Sequence, residues 1–183
     1  MDIPGVEALD DNSAKWQRRS VLIITILPFL GFLLAFVALW GRGLSVVDAS
    51  IAIGFYGFTG LGVTIGYHRL FTHQSFEATR PLKIGLAIAG SMALQGSLID
   101  WCAAHRRHHA FSDKEGDPHS PHLEEGAGPA DVVRGLWHAH VGWLVTPERT
   151  DLDRWAPDLV KDRDLMKISK YFPLLSIADE AFY

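Results

Sequence analysis

Residues 49–76 read ASIAIGFYGFTGLGVTIGYHRLFTHQSF, nineteen uncharged residues followed at once by two histidines. A run of that length predicts a helix able to cross a hydrocarbon layer of roughly 30 Å. Gly54, Gly57, Gly60, Gly62 and Gly66 would weaken a helix in water, but in lipid small residues let helices approach, and Gly62 and Gly66 have GxxxG spacing. Upstream, residues 20–41 (SVLIITILPFLGFLLAFVALWG) are also free of charge, which predicts a first spanning helix. Pro28 is tolerable in a membrane helix, and the run exceeds the h-region of about 7–15 residues of a secretory signal. The turn between the runs is short, so together they predict a transmembrane helical hairpin, with helices at about residues 20–41 and 49–67. Lys15, Arg18 and Arg19 precede the first helix while Arg42 stands alone in the turn. That bias puts the N-terminal segment 1–19, and the chain from His68 onward, on the cytoplasmic face.

Composition removes other classes. Seventeen basic side chains against 21 acidic ones, with no basic run, leave nothing to attract nucleic acid. Cys102, the single cysteine, can neither close an intramolecular disulfide nor build a Cys-rich zinc site, so it reads as a small apolar filler and any metal must use other ligands.

Nine histidines offer those ligands. His68 and His73 stand in GYHRLFTHQSF, and His105, His108 and His109 in HRRHHAFSD. On a regular helix the second trio spans about 100°, so three imidazoles face one point, whereas His68 and His73 lie about 140° apart and reach two neighbouring ions rather than one. A dinuclear centre is the natural inference, and imidazole does not name the metal. The ordinary alternative is solvated histidines beside lipid headgroups. Between the groups, residues 84–99 form a 16-residue uncharged stretch containing Ser91, Gln95 and Ser97. Were it to cross the bilayer, His73 and His105 could not share a centre, so an interfacial helix at about 82–99 is expected, with a cytoplasmic histidine cap over 100–145.

HRLFTH and HRRHH, set among FEATRPLK, GDPHSP and HVGWL, resemble the first and second histidine boxes of the membrane fatty acid desaturases, nearest the acyl-CoA (stearoyl-type) Δ9 branch, from about Gly66 to Val145. The resemblance implies an all-α integral membrane protein, the N-terminal half of the desaturase fold, and an O2-dependent oxidoreductase placing a cis double bond in a saturated acyl chain. It implies two iron ions with His68, His73, His105, His108 and His109 as ligands. Electrons would come from a cytochrome b5, ferredoxin or rubredoxin type of carrier, and the substrate would be a fatty acyl thioester or acyl-lipid. Gln95 and Trp101 fall where the family lines the bend of its acyl tunnel; the bland readings are a packing glutamine and an interfacial anchor.

By the same resemblance His140 lies in a structural HVGW element. His138 reads as peculiar to this chain, Trp137 and Trp143 as interface packing, His119 and His122 as loop residues, and Asp117 as ordering that loop or supporting a ligand. The family continues with a second hairpin, one further histidine and a third HxxHH box, none of which follows here; residues 146–183 read as a charged tail that cannot span. The expectation is therefore a C-terminally truncated desaturase domain, residues 20–145, inactive alone and binding metal weakly. Two other functions compete: a membrane di-iron alkane or lipid hydroxylase, and a non-enzymatic histidine-rich metal-binding membrane protein.

Overall fold

A computed structural model describes residues 3–41, 43, 45–122 and 128–176; Arg42 and the chain's last residues lie outside them. Helix α1 (Asp11–Leu39) starts nine residues before the uncharged run, because the Asp10 carboxylate accepts from the N–H groups of Asn12 and Ser13 at 2.9 and 3.1 Å and so supplies an N-cap. It continues through Pro28 and buries none of its residues. Helix α2 (Val46–Leu61) opens on a reciprocal cap between Ser45 and Asp48. It runs on without a break into a π-helical segment, Gly62–Thr72, so that helical structure extends from Val46 to Thr72. Both helices are long and apolar enough to cross a membrane, and their outward residues, such as Leu34 and Ile53, are more than two-thirds exposed. Side chains of that kind are stable at a surface only against another apolar medium.

The expected helix at 82–99 is divided. Helix α3 (Arg80–Ser91) has twelve residues, about 18 Å, too short to cross a bilayer. The chain then turns through Leu94 and Gly96, both at positive φ (57° and 107°), and Ser97 caps helix α4 (Leu98–Phe111). The π segment lies on α3 with no room to spare. A Cβ on Gly62 would strike the backbone of Ala89 and Gly90, and one on Gly90 would strike the Tyr67 ring. The GxxxG pair is used here: Gly66 meets Leu86 on the same seam, with 3.0 Å from a notional Cβ to the carbonyl oxygen. Tyr67, wholly buried, lies 2.9 Å from Ser91 Oγ, and Ser91 donates to the Ala87 carbonyl.

Helix α5 (Pro129–His140) and a 3-10 turn (Gly142–Val145) follow the loop after α4. A two-stranded antiparallel sheet then joins β1 (Val6–Ala8) to β2 (Glu148–Thr150), with Val6 opposite Thr150 and Ala8 opposite Glu148. The segment read from sequence as a charged tail adds several residues to the core. Short helices α6 (Leu152–Trp155) and α7 (Pro157–Val160) and the longer α8 (Arg163–Ser176) bring Ala156, Leu159 and Leu165 against Tyr67, Phe71, Leu98, Ile99 and Cys102. Ion pairs fix them: Arg80 holds Asp164 through both carboxylate oxygens, and Lys83 holds Asp162.

Candidate metal centre

The π segment places the first histidine pair. In an α-helix residues five apart diverge, but a turn closed by i→i+5 hydrogen bonds stacks them. The His73 N–H donates to the His68 carbonyl at 3.1 Å, and the two rings come to 4.6 Å, centroid to centroid. The separation expected from regular winding is therefore not found, because the helix changes type at the histidines. Opposite, His105 and His109 lie one turn apart on α4, their Nε2 atoms 3.2 Å from each other. His68 faces His105 at 4.9 Å and His73 faces His109 at 4.7 Å. All four offer ligand atoms within 4.8 Å of one another.

The environment favours the neutral form of His105 and His73. Burial, then the neighbouring His109 and His68 rings, push the His105 pKa down to about 3; burial, then His68, lowers that of His73. An unprotonated imidazole is the form that binds a metal. Trp101 stacks on His105, 4.7 Å between centroids at 27°, and limits its tilt. Four imidazole nitrogens at this separation fit a borderline cation such as iron or zinc.

His108 is set differently. The helical projection puts it with His105 and His109, and its ring is 6.0 and 5.5 Å from theirs. Its Nδ1, however, is 2.9 Å from both oxygens of Asp117, and its ring stacks on His119 at 4.3 Å. These three residues form a second group with metal-ligand spacing. Asp117 accepts from the N–H groups of Asp113 and His119, at 3.0 and 3.1 Å. Burial alone would raise its pKa, but the His108 contact and the two amides outweigh it and hold the carboxyl below its usual range. His119, read from sequence as a loop residue, thus stands beside a box histidine. The signal was the Asp117-x-His119 spacing, in which the aspartate caps the histidine's own N–H. His122 remains exposed and joins neither group.

Arg106, between the box histidines, binds the two halves of the site. Its guanidinium donates to the carbonyls of Phe71, Thr72 and Trp155 and to Asp158, tying the end of the π segment to α7. Gln95 and Trp101 both line a cavity of about 940 Å³ that also takes in His105, Val21 and Ile24 of α1, and Leu144.

A histidine cluster at the end of an apolar helix, beside a cavity large enough for an acyl chain, defines a candidate membrane metal protein. Comparison with known proteins narrows that class. Residues 44–182 match the fatty acid desaturase family, and the chain belongs to it. It is 39% identical over 157 residues to a hex-5-enoyl-[acyl-carrier protein] acetylenase of Moorena producens, covering 85% of this chain and 49% of that protein. It is 36% identical over 152 residues to an sn-1 stearoyl-lipid 9-desaturase of Anabaena variabilis (81% and 51%). An acyl-CoA Delta-9 desaturase of Acheta domesticus is 32% identical over 168 residues (86% and 43%). The chain spans about half the length of these curated relatives.

Proposed function

We propose that the chain supplies the first and second histidine boxes of a membrane-bound, O2-dependent fatty acyl desaturase that places a cis double bond in a saturated chain. The observation that carries this reading is the convergence of His68, His73, His105 and His109 from two separate elements, beside a cavity lined by Gln95 and Trp101. In this reading α1 and α2 form a transmembrane hairpin, α3 lies at the interface, and the N-terminus and both boxes share the cytoplasmic face. Two iron ions fit the residues present, with the four clustered imidazoles and His108 as ligands; when bound they supply the oxidising chemistry that no side chain has.

The chain's own residues do the rest. His105 stays unprotonated, Asp117 fixes the orientation of His108, and Trp101 restrains His105. The cavity sets which carbon pair lies near the centre, which is positioning. Removing two hydrogens from the chain yields two electrons; a cytochrome b5, ferredoxin or rubredoxin type of carrier gives two more, and with two protons O2 leaves as two waters. The relatives act, by name, on acyl-carrier protein, glycerolipid and acyl-CoA substrates, so the proposed substrate is a saturated acyl thioester or acyl-lipid.

Elemental analysis of the purified protein, with product analysis from membranes holding it and fed a labelled saturated fatty acid, tests the reading. Expected are iron that is lost in His105→Ala, no cis-unsaturated product from this stretch of chain alone, and a cis-unsaturated product once a stretch carrying the third histidine box is supplied. A hydroxylated product would instead favour a lipid hydroxylase, and zinc without iron a structural metal protein.

A further inference from the structure

Helix α5 has one side that the fold uses and one that it does not. Its inner side closes the site: Gly135 is pressed against the Pro121 carbonyl, Asp131 accepts from the Gly128 N–H at 3.2 Å, and His138 lines the cavity. Its outer side carries Val132, Val133, Leu136 and Trp137, which fall within about 140° of one another on a helical projection and are 54, 66, 49 and 64% exposed. His140 follows on that side, exposed, with its Nδ1–H donating to the Leu136 carbonyl at 2.8 Å. A contiguous patch of this kind on a two-faced helix marks a contact with something apolar.

The height of α5 along α1 says what that is. The 3-10 turn directly after α5 is tied to α1, where Gln17 Nε2 donates to the Leu144 carbonyl at 3.1 Å. Gln17 lies three residues before Ser20, where the uncharged run of α1 begins. The chain leaving α5 is thus held where α1 passes from its basic turns (Lys15, Arg18, Arg19) into its apolar length. At that depth the neighbouring medium is the boundary between headgroups and acyl chains, which tryptophan favours and where an imidazole can keep its polar end wet.

We infer that α5 is a membrane-surface helix, whose Val132, Val133, Leu136 and Trp137 face lies in the leaflet that α1 enters. The inference rests on the reading that α1 spans the bilayer, and it adds to α3 a second interfacial element that sequence periodicity did not single out.

Spin labels on single cysteines at Leu30, Val133 and Lys114, with Cys102 replaced by alanine and the chain in lipid nanodiscs, test it by accessibility to O2 against a water-soluble nickel chelate. Expected is a Val133 label with an O2-to-nickel ratio several-fold above that of Lys114, and the highest ratio at Leu30. A Val133 label as open to nickel as Lys114, or shielded from both reagents because protein covers the face, overturns the inference while a lipid-exposed Leu30 leaves the spanning reading intact. A water-exposed Leu30 removes both. Trp137→Phe in the otherwise natural chain gives a second readout, since quenching by lipids brominated near the headgroup should fall when this one ring is lost. Unchanged quenching in that variant also overturns the inference.

Discussion

His105 shows how a single side chain is prepared for a metal before one arrives. Its pKa, pushed down to about 3 by burial and by neighbouring rings, lies well below the usual 6.5, and those of His73 and His119 are lowered too, in both cases mainly by burial. The unfolded chain takes up protons below about pH 6.5 that the folded chain refuses, so metal-free stability should fall as pH drops from 6.5 toward 3. The depressed carboxylates Asp117, Asp158 and Asp162 lose their contribution only near and below pH 4. Thermal unfolding between about pH 6.5 and 5 therefore reads the histidines alone. The expected slope is positive with pH and shallower in His105→Asn; a flat profile in the natural chain contradicts it. Glycine gives a second test at this scale. Gly90→Ala forces a methyl into the Tyr67 ring and should cost about 1–3 kcal/mol. Gly60→Ala, with nothing within 4 Å, should be neutral or stabilising by up to about 1 kcal/mol. Unfolding midpoints in detergent compare the two.

At the scale of elements, the sequence made both long helices legible, because nineteen or more uncharged residues have few other readings. It did not reveal the change of winding at Gly62. Hydropathy carries no mark of an i→i+5 turn, and without one the five-residue gap between His68 and His73 reads at α-helical pitch. Nor did it reveal the break at Leu94–Gly96, where uncharged residues hide two turns of chain behind a continuous apolar profile. The ion pairs between elements were equally silent, although they differ in weight. Arg106 joins the π segment to α7 through several acceptors with its side chain 17% exposed, so Arg106→Met should cost about 2–3 kcal/mol. The Arg80–Asp164 pair, with Arg80 74% exposed, should cost at most about 1 kcal/mol when broken by Arg80→Met. Chemical unfolding of both variants separates a tie at the site from a surface pair.

For the whole molecule, the decisive relation is between ends of elements far apart in sequence. Rings of His73 and His105 come within 5.9 Å, so the chain between them leaves and returns at one end of α2. Cysteine labels at Gln74 and Ala110, both exposed, should therefore react from the same side of sealed vesicles, with a label at the α1–α2 turn reacting only from the other. Reaction of the first two from opposite compartments would rule out the proposed hairpin. In the sequence the histidine pattern suggests the shared centre, and the return of the chain to one face follows from it. The incorporation of α6 to α8 into the core is not legible there, because DLDRWAPDLVKDRDLMK is too polar to advertise a buried side, and only Leu159, Leu165 and a few neighbours turn inward.

The i→i+5 turn at residues 62–72 makes the first box a gauge of winding. Deleting Leu70 while the winding stays as it is would retain every imidazole, a change that looks minor in an alignment. It would also swing everything before the gap by about 100° relative to α4, lifting Gly62 and Gly66 off Leu86 and Ala89. Insertions and deletions between these two histidines should accordingly be tolerated far less than substitutions there.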